Sequence, residues 1–285
     1  MNYKRVIPKL DIKDNNLVKG INLEGLRVLG NPEYFANLYT NDLADEIFYH
    51  DTVASLYGKK FMLDMINKVA QKTFIPLMVG GGIKKLEDIE AILKSGADKI
   101  SLNSESLRNP EIINESAKKF GSSTISINIQ FHNINNEIKI LIDNGREIVD
   151  KNIFNWIKEV EERGAGEIIL TDISREGTGL GVNIDVVYKL IKNIDIPVIY
   201  HGGIGKKEDI LEVLKIKNID GICLSSILHY TAIDNNHGSL MDKNKKIGNT
   251  QFLEKKFHNR HYEKISLIDL KKFLYNNNIN TRVNQ

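Results

Sequence analysis

A repeat at a spacing of 121 residues, seen between positions 44 and 165, is the feature that most constrains the fold of this chain. Residues 44–51 (ADEIFYHD) match residues 165–172 (AGEIILTD), and residues 75–93 match residues 196–214 at the same spacing. The repeated unit is a short apolar run followed by an amphipathic stretch, which is typical of a strand leading into a helix. The repeat therefore predicts two equivalent halves, whereas two unrelated doubly wound domains are the alternative.

Eight apolar runs recur along the chain, with helical patterns between them. Each run has 4–8 residues and most are rich in Ile, Val and Leu, which is typical of strands buried on both faces of a parallel sheet. Their alternation with helices predicts an α/β fold, a (βα)8 TIM barrel built from two half-barrels. The runs lie at 5–10, 45–50, 75–79, 99–102, 124–129, 167–170, 196–200 and 221–226.

Composition narrows the class of protein. The chain has 285 residues and a net charge of +2, so charge gives no argument for nucleic acid or an anionic membrane as a partner. The single cysteine, Cys223, excludes a disulfide framework and a cysteine-rich zinc site. No cluster of His, Cys and carboxylates has ligand spacing, so we expect no metal and no cofactor. The absence of a signal-like or membrane-spanning apolar run predicts a cytoplasmic protein.

The end of the chain departs from the repeat. Residues 233–264 are polar, rich in Lys, Asn and His, and show no clear period. They predict a solvated insertion in an otherwise single barrel that spans 1–285, although a binding role is a second interpretation. A last helix is expected at 265–277.

Glycine-rich segments follow two of the runs at equivalent places in the repeat, at 79–83 (VGGGI) and 201–205 (HGGIG). The carboxyl ends of barrel strands build the active site, and glycines before a helix let backbone N–H groups approach an anion. One such segment is equally typical of a tight turn, but the symmetric pair predicts two phosphate sites and a long substrate with a phosphate at each end. The predicted sites contain Gly82, Asn103 and Ser104 on one side, and Gly203, Ser225 and Ser226 on the other.

The first run ends at Asp11, where a carboxylate can act as a general acid or base, although a loop aspartate or helix cap is the alternative. The repeat puts Gln130 at the mirror position, and an amide cannot exchange a proton at neutral pH. His50 and His201 also end runs and are candidate proton shuttles, but a lone strand-end histidine is more often structural. Residues 174–179 form a turn whose Glu176 and Thr178 are expected near the site.

Four charged residues begin predicted strands at the end of the barrel opposite the active site. Two cations and two anions there can close a ring of ion pairs, and the spacing alone favours a role in stability. The four are Arg5, Glu46, Lys99 and Glu167.

Together, these motifs resemble the cyclase subunit of imidazole glycerol phosphate synthase, from histidine biosynthesis. The resemblance covers residues 1–230 and 265–283, and it implies a lyase that uses ammonia from a partner glutaminase. That reaction converts a bisphosphorylated ribulosyl aminoimidazole carboxamide substrate to imidazole glycerol phosphate and aminoimidazole carboxamide ribotide. A sister sugar isomerase of the same pathway is a weaker match. The motifs lie at 5–20, 79–83, 97–104, 162–171, 175–179 and 202–205.

The resemblance also implies roles for single residues. Asp11 is similar to the family's catalytic aspartate, and Asp98 is similar to its contact with the glutaminase. The four charged residues match the family's ammonia gate, so an ammonia entry becomes the favoured interpretation of the ring. The residues implied to bind substrate or phosphate are Lys19, Gly82, Asn103, Ser104, Thr171, Glu176, Gly177, Gly203, Ser225 and Ser226.

The chain departs from the family pattern at several of its site positions. The second catalytic aspartate falls on Gln130, and losing a positioned acid or base costs roughly 10²–10⁴-fold in rate. Asp172, Glu176 and His201 are candidate replacements for proton transfer. Two functions stay open: a cyclase with an altered acid–base pair, and a paralogue without cyclase activity that channels ammonia for acetamidino modification of surface polysaccharide sugars. A non-catalytic binding platform is the third. The other departures are Asn144, Ser174, Glu176 and His201.

Overall fold

Eight parallel strands close into a barrel in this computed structural model, which describes residues 3–54, 63–135, 137–235 and 261–283. The pairing order round the barrel is β1, β4, β5, β6, β7, β10, β11 and β12, and it closes because β12 pairs with β1. The predicted (βα)8 barrel is confirmed. The strands are β1 (Arg5–Lys13), β2 (Asn16–Ile21), β3 (Glu24–Gly30), β4 (Ile47–Asp51), β5 (Leu77–Gly80), β6 (Lys99–Leu102), β7 (Ile125–Ile134), β8 (Glu137–Ile142), β9 (Glu147–Val149), β10 (Glu167–Asp172), β11 (Val198–His201) and β12 (Ile219–Leu224).

Helices follow the barrel strands, and several begin at a residue whose side chain caps the helix. The Asn152 side chain, for example, accepts hydrogen bonds from the backbone N–H groups of Phe154 and Asn155 at 3.0 and 3.1 Å. The helices are α1 (Pro32–Asn41), α2 (Leu63–Ala70), α3 (Leu86–Lys94), α4 (Ser104–Arg108), α5 (Glu111–Phe120), α6 (Ile153–Glu162), α7 (Ile184–Ile191), α8 (Lys207–Leu214), α9 (Ser226–Asn235) and α10 (Leu267–Asn276).

The barrel strands are buried on both faces because helices cover the outside and side chains fill the inside. All six residues of β10 are buried, for instance. Alternate residues of a barrel strand face the interior, so Arg5, Ile7, Lys9 and Asp11 of β1 form successive levels from one end to the other. A separate apolar cluster fills the level of Ile7, and its members are Ile7, Phe48, Met78, Ile169, Ile199 and Cys223.

Two antiparallel additions extend the barrel strands beyond their carboxyl ends. Strands β2 and β3 form a hairpin that pairs back onto β1, and β8 and β9 extend β7 in the same way. These additions stand over the mouth of the barrel, so side chains of the hairpin can reach the strand ends.

The segment predicted as an insertion, 233–264, is only partly described. Helix α9 continues to Asn235, residues 236–260 lie outside the described residues, and residues 261–264 return against the barrel. The extent of the insertion therefore stays a prediction. Across the described residues, no helix has both the length and the apolar character needed to cross a membrane.

Candidate active site at the mouth of the barrel

A pocket of about 530 Å³ lies at the carboxyl ends of β5, β6 and β7, and Gly82, Asn103 and Ser104 are among its lining residues. Gly82 has a φ of 69°, and a Cβ there would lie 2.6 Å from the Cβ of Ala54, so only glycine fits. The Ser104 hydroxyl accepts a hydrogen bond from the backbone N–H of Asp143 at 2.9 Å. The structure brings these three predicted residues together in one place, which we call the first pocket.

A second pocket, of about 260 Å³, lies at the ends of β10, β11 and β12. Gly203 has a φ of 79°, and a Cβ there would lie 2.2 Å from the carbonyl oxygen of Gly181. Helix α9 begins at Ser226, so its first backbone N–H groups have no partner within the helix. The predicted residues that line this second pocket are Glu176, Gly177, His201, Gly203, Ser225 and Ser226.

Asp11 connects the two pockets, and its carboxylate has three partners. Lys9 Nζ donates to Oδ1, Lys19 Nζ donates to Oδ2 at 3.1 Å, and Nδ1 of His50, from the first pocket, lies 3.3 Å from Oδ1. Burial on its own would raise the pKa of Asp11, but the two ammonium groups outweigh it and hold that pKa well below its usual range. Asp11 is therefore an ionised carboxylate in this arrangement.

Lys19 extends from the β2–β3 hairpin into the middle of the mouth. Its Nζ donates to Asp11 and also to Oε1 of Glu176 in the second pocket, while Nε2 of His201 lies 3.5 Å from the same oxygen. Burial raises the pKa of Glu176, but Lys19 and His201 outweigh burial and lower it to about 2. The hairpin is thus tied to both sides of the mouth by one ammonium group.

Lys9 is a functional candidate that sequence reasoning missed. Its side chain is 2% exposed, and its Nζ lies 5.7 Å from the centre of the Phe48 ring in the apolar cluster. Lys9 precedes Asp11 by two residues, and this spacing puts both side chains on the inner face of β1. The two-residue spacing from Asp11 could therefore have indicated that Lys9 faces the barrel interior, although both residues belong to a strand that the sequence predicted as buried on both faces.

Gln130 lies across the mouth, in register with Thr171 of the neighbouring strand. Gln130 lines the first pocket, and its Oε1 has no hydrogen-bond partner among the described residues.

Thr171 donates to Oδ1 of Asn128 at 2.8 Å, and Asn103 donates to the Asn128 carbonyl oxygen at 2.8 Å. Asn128 is a second residue that sequence reasoning missed, and it ties the predicted Thr171 and Asn103 together.

Two further departures from the family pattern, Asn144 and Ser174, also lie at the mouth. Asn144 lines the first pocket. Asp172 is buried at the end of β10, and burial raises the pKa of its carboxyl group, although Ser174 donates a hydrogen bond to it. Asp172 therefore holds a proton more readily than Asp11 does.

The four charged residues at the opposite end of the barrel form a closed ring of ion pairs. Arg5 lies 3.2 Å from Glu46 and 2.8 Å from Glu167. Lys99 lies 3.1 Å from Glu46 and 3.3 Å from Glu167. Burial raises the pKa of Glu46, because Lys99 and Arg5 only partly offset the loss of water around it. The geometry predicted for the ring is present, and its role as an ammonia gate stays a prediction.

Asp98 is exposed beside this ring. Its Oδ2 accepts a hydrogen bond from the backbone N–H of Leu77 at 2.8 Å, so the carboxylate fixes the start of β5. Its predicted contact with a partner is not visible in a single chain. In the described ranges, no group of three or more His, Cys, Asp or Glu residues could hold a metal ion.

Comparison with known proteins decides the family. The sequence model described as "Histidine biosynthesis protein" matches residues 5–234. The chain belongs to this family. The imidazole glycerol phosphate synthase subunit HisF of Legionella pneumophila is 42% identical over 210 residues, which are 73% of this chain and 99% of that protein. The protein of the same name from Campylobacter concisus is 41% identical over 231 residues, which are 81% of this chain and 91% of that protein.

These relatives confirm the resemblance to the cyclase subunit, and they place the chain among enzymes of the lyase type. A third relative, the HisF subunit of a Hydrogenobaculum species, is 41% identical over 231 residues, which are 81% of this chain and 92% of that protein. The family match ends at residue 234, the second residue of the segment 233–264 that was predicted as an insertion.

Proposed function

We propose that this protein converts the bisphosphorylated ribulosyl aminoimidazole carboxamide substrate to imidazole glycerol phosphate and aminoimidazole carboxamide ribotide, with ammonia from a partner glutaminase. The observation that carries the proposal is the placement of two sites on the same barrel strands. A closed ring of ion pairs lies at one end, and a mouth with two pockets lies at the other.

The interior between these two ends suits the passage of neutral ammonia. The apolar cluster of Ile7, Phe48 and Met78, with three further residues, fills the level between the ring and Lys9. An ammonium ion there would lose its water without gaining a counter-ion, whereas the free energy of desolvation of neutral ammonia is much smaller. Ammonia that crosses this level emerges beside Lys9 and Asp11.

The partner docks, in this proposal, at the end that carries the ring. Asp98 is exposed there, and Phe74 is 92% exposed in the loop before β5. An exposed aromatic side chain beside charged residues is typical of a protein interface. Docking at this end would let ammonia enter through the ring without meeting bulk water.

The substrate spans the mouth with one phosphate in each pocket. Gly82, Asn103 and Ser104 hold one phosphate, and Gly203, Ser225 and Ser226 hold the other. Lys19 lies between them and donates to Asp11 and Glu176, so the β2–β3 hairpin must release one of these carboxylates as substrate enters. Thr171, Glu176 and Gly177 complete the substrate contacts in this proposal.

Asp11 and Lys9 then handle the protons of the nitrogen-transfer step. The nitrogen of ammonia forms a bond to the ketone carbon of the substrate, the carbonyl oxygen takes up protons, and it leaves as water when the imine forms. Lys9 supplies a proton and recovers one, which a protonated amine can do and the Gln130 amide cannot. Gln130 holds the substrate through its unpartnered carbonyl oxygen.

Gln130 also favours the second candidate function. A paralogue that channels ammonia for acetamidino modification of surface polysaccharide sugars would keep the ring and the partner face and lose ring closure. The absence of an ionisable group at position 130 is consistent with a loss of ring closure, whereas the two phosphate pockets favour the cyclase.

The test is ammonia-dependent consumption of the bisphosphorylated substrate by purified protein at pH 8–9, which supplies free ammonia. Gln130→Asp is assayed beside the natural chain, and Gln71→Asp, at an exposed position, is the matched control. Turnover by the natural chain, unchanged in Gln71→Asp, supports the cyclase. Activity that appears only in Gln130→Asp favours the paralogue, and no turnover in any variant refutes the cyclase.

A further inference from the structure

The second pocket has a wall that comes from outside the matched family region. Tyr262 lines this pocket together with Gly177, Gly203 and Ser226. The family match ends at residue 234, and Tyr262 follows the stretch 236–260 that lies outside the described residues. A residue from this late part of the chain therefore lines a site built by the family core.

The phenol of Tyr262 bonds to residues that we assign to phosphate binding. Its hydroxyl donates to the carbonyl oxygen of Gly177, and the Ser226 side chain lies within reach of the phenol oxygen. Burial raises the pKa of Tyr262, so the phenol stays protonated at neutral pH and offers an anion a donor rather than a second negative charge.

The segment around Tyr262 is anchored to the barrel on both sides. The ring of Tyr262 packs against Tyr230 with centres 5.5 Å apart. The backbone N–H of Glu263 donates to the carbonyl oxygen of Gly205 at 2.7 Å, and the Glu263 carboxylate accepts from Lys207. These contacts hold the phenol at the pocket.

Glycines beside the second pocket leave the room that this segment occupies. A Cβ on Gly179 would lie 2.7 Å from the carbonyl oxygen of His261 and 3.0 Å from the Tyr262 ring. A Cβ on Gly205 would lie 2.7 Å from the same His261 oxygen. The two distances of 2.7 Å are too short for an ordinary contact, so a side chain at either position would displace residues 261–263. The turn of 174–179 and the glycine-rich segment of 201–205 therefore fit against residues 261–263 only with glycine at these positions.

We propose that Tyr262 is a ligand of the phosphate in the second pocket, and that residues 261–263 close this pocket around a terminal phosphate monoester. The proposal deepens the proposed function because it concerns one end of the same substrate. When the anion enters, the phenol hydrogen turns from the Gly177 carbonyl oxygen to a phosphate oxygen, and the Ser226 hydroxyl donates to the phosphate as well.

The experiment titrates inorganic phosphate into the full chain by calorimetry. The natural protein is compared with Tyr262→Phe, with Ser104→Ala in the first pocket, and with Tyr275→Phe as the control at an exposed tyrosine. A hydrogen bond to a charged group is worth enough to predict a roughly 10- to 100-fold loss of affinity at one of two sites in Tyr262→Phe. Ser104→Ala should weaken the other site, and Tyr275→Phe should weaken neither.

A role in structure alone is separated by two readouts. The thermal unfolding midpoint without phosphate should be nearly the same in Tyr262→Phe, since the ring and its packing remain. In turnover assays, Tyr262→Phe should raise KM and leave kcat nearly unchanged, because the phosphate contact is the same in the ground and transition states.

Unchanged phosphate affinity in Tyr262→Phe would overturn the proposal, as would the loss of both sites together with a lowered unfolding midpoint. A natural chain that binds no phosphate would also overturn it. If phosphate binding follows the expected pattern and no variant turns over the substrate, the proposed function fails and the assignment of Tyr262 stands.

Discussion

Replacing Glu176 by glutamine should lower the stability of the protein at neutral pH and make that stability less sensitive to acid. The carboxylate is buried against Lys19, and the pKa of Glu176 in the folded protein is about 2. In an unfolded chain the pKa of a glutamate is about 4.3. Because the folded-state pKa is the lower of the two, the ionised group stabilises the fold above pH of about 4.3, and this contribution is lost as the pH falls towards 2.

The difference in pKa sets the magnitude of the effect. Each unit of difference corresponds to about 1.4 kcal/mol, so the ionised Glu176 contributes on the order of 3 kcal/mol at pH 7 and about half of that at pH 3. A glutamine oxygen can still accept from Lys19, and Lys19 keeps its bond to Asp11 at 3.1 Å. We therefore expect Glu176→Gln to lower the free energy of unfolding by roughly 1–3 kcal/mol at pH 7, and by clearly less at pH 3.

Urea unfolding of the natural protein and the variant at pH 7, 5 and 3 measures this difference. Glu90→Gln is the matched control, because hydrogen bonds from Lys119 and Lys94 also lower the pKa of Glu90 to about 2, but on the surface. Water and salt screen such a surface pair, so its effect should be small and should disappear in high salt. The reasoning is refuted if Glu176→Gln loses as much stability at pH 3 as at pH 7, or if Glu90→Gln matches it.

Four other substitutions test the remaining parts of the structure. Lys99→Met opens the ring and should lower glutamine-dependent turnover of the complex relative to ammonia-dependent turnover. The free energy of unfolding should fall by roughly 1–3 kcal/mol. Equal loss of turnover in both assays would contradict a role of the ring as an ammonia gate. Gly203→Ala should weaken phosphate binding in calorimetry at least tenfold, since its Cβ meets the Gly181 carbonyl oxygen at 2.2 Å. Gly121→Ala, with a φ of 90° but open space around it, should cost only about 1–2 kcal/mol of stability and leave binding unchanged. Asn152→Ala removes a helix cap and should cost about 0.5–2 kcal/mol in urea unfolding, with phosphate affinity as in the natural chain.

The barrel and both pockets could be predicted from the sequence because the repeat fixes the relation between the two halves. Once one glycine-rich segment is placed after a strand, its copy must lie at the equivalent strand across the barrel. Gly82 and Gly203 follow this rule, and their φ values of 69° and 79° are nearly the same. The ring was predictable for a similar reason, since parallel strands begin at the same end of a barrel.

Lys9 and Asn128 could not be read in the same way. Strands buried on both faces lack the alternation of polar and apolar residues that reveals which side chains face inward, so a polar residue within such a run gives only a weak signal. Tyr262 was hidden for another reason. It belongs to a stretch without period, and its place at the second pocket depends on contacts between residues 85 positions apart in sequence, such as that with Gly177.

The charges at the mouth show why Lys9 matters to a chain that has glutamine at position 130. Two ammonium groups, of Lys9 and Lys19, face the carboxylates of Asp11 and Glu176. Lys19 belongs to the hairpin, whereas Lys9 lies on the same strand as Asp11. In the proposed reaction the hairpin moves as substrate enters, so Asp11 keeps Lys9 as a counter-ion even where it loses Lys19. If Lys19 leaves Glu176, the positive charge that builds up on nitrogen in the proposed addition of ammonia meets an uncompensated carboxylate on the side of the second pocket, opposite the neutral Gln130.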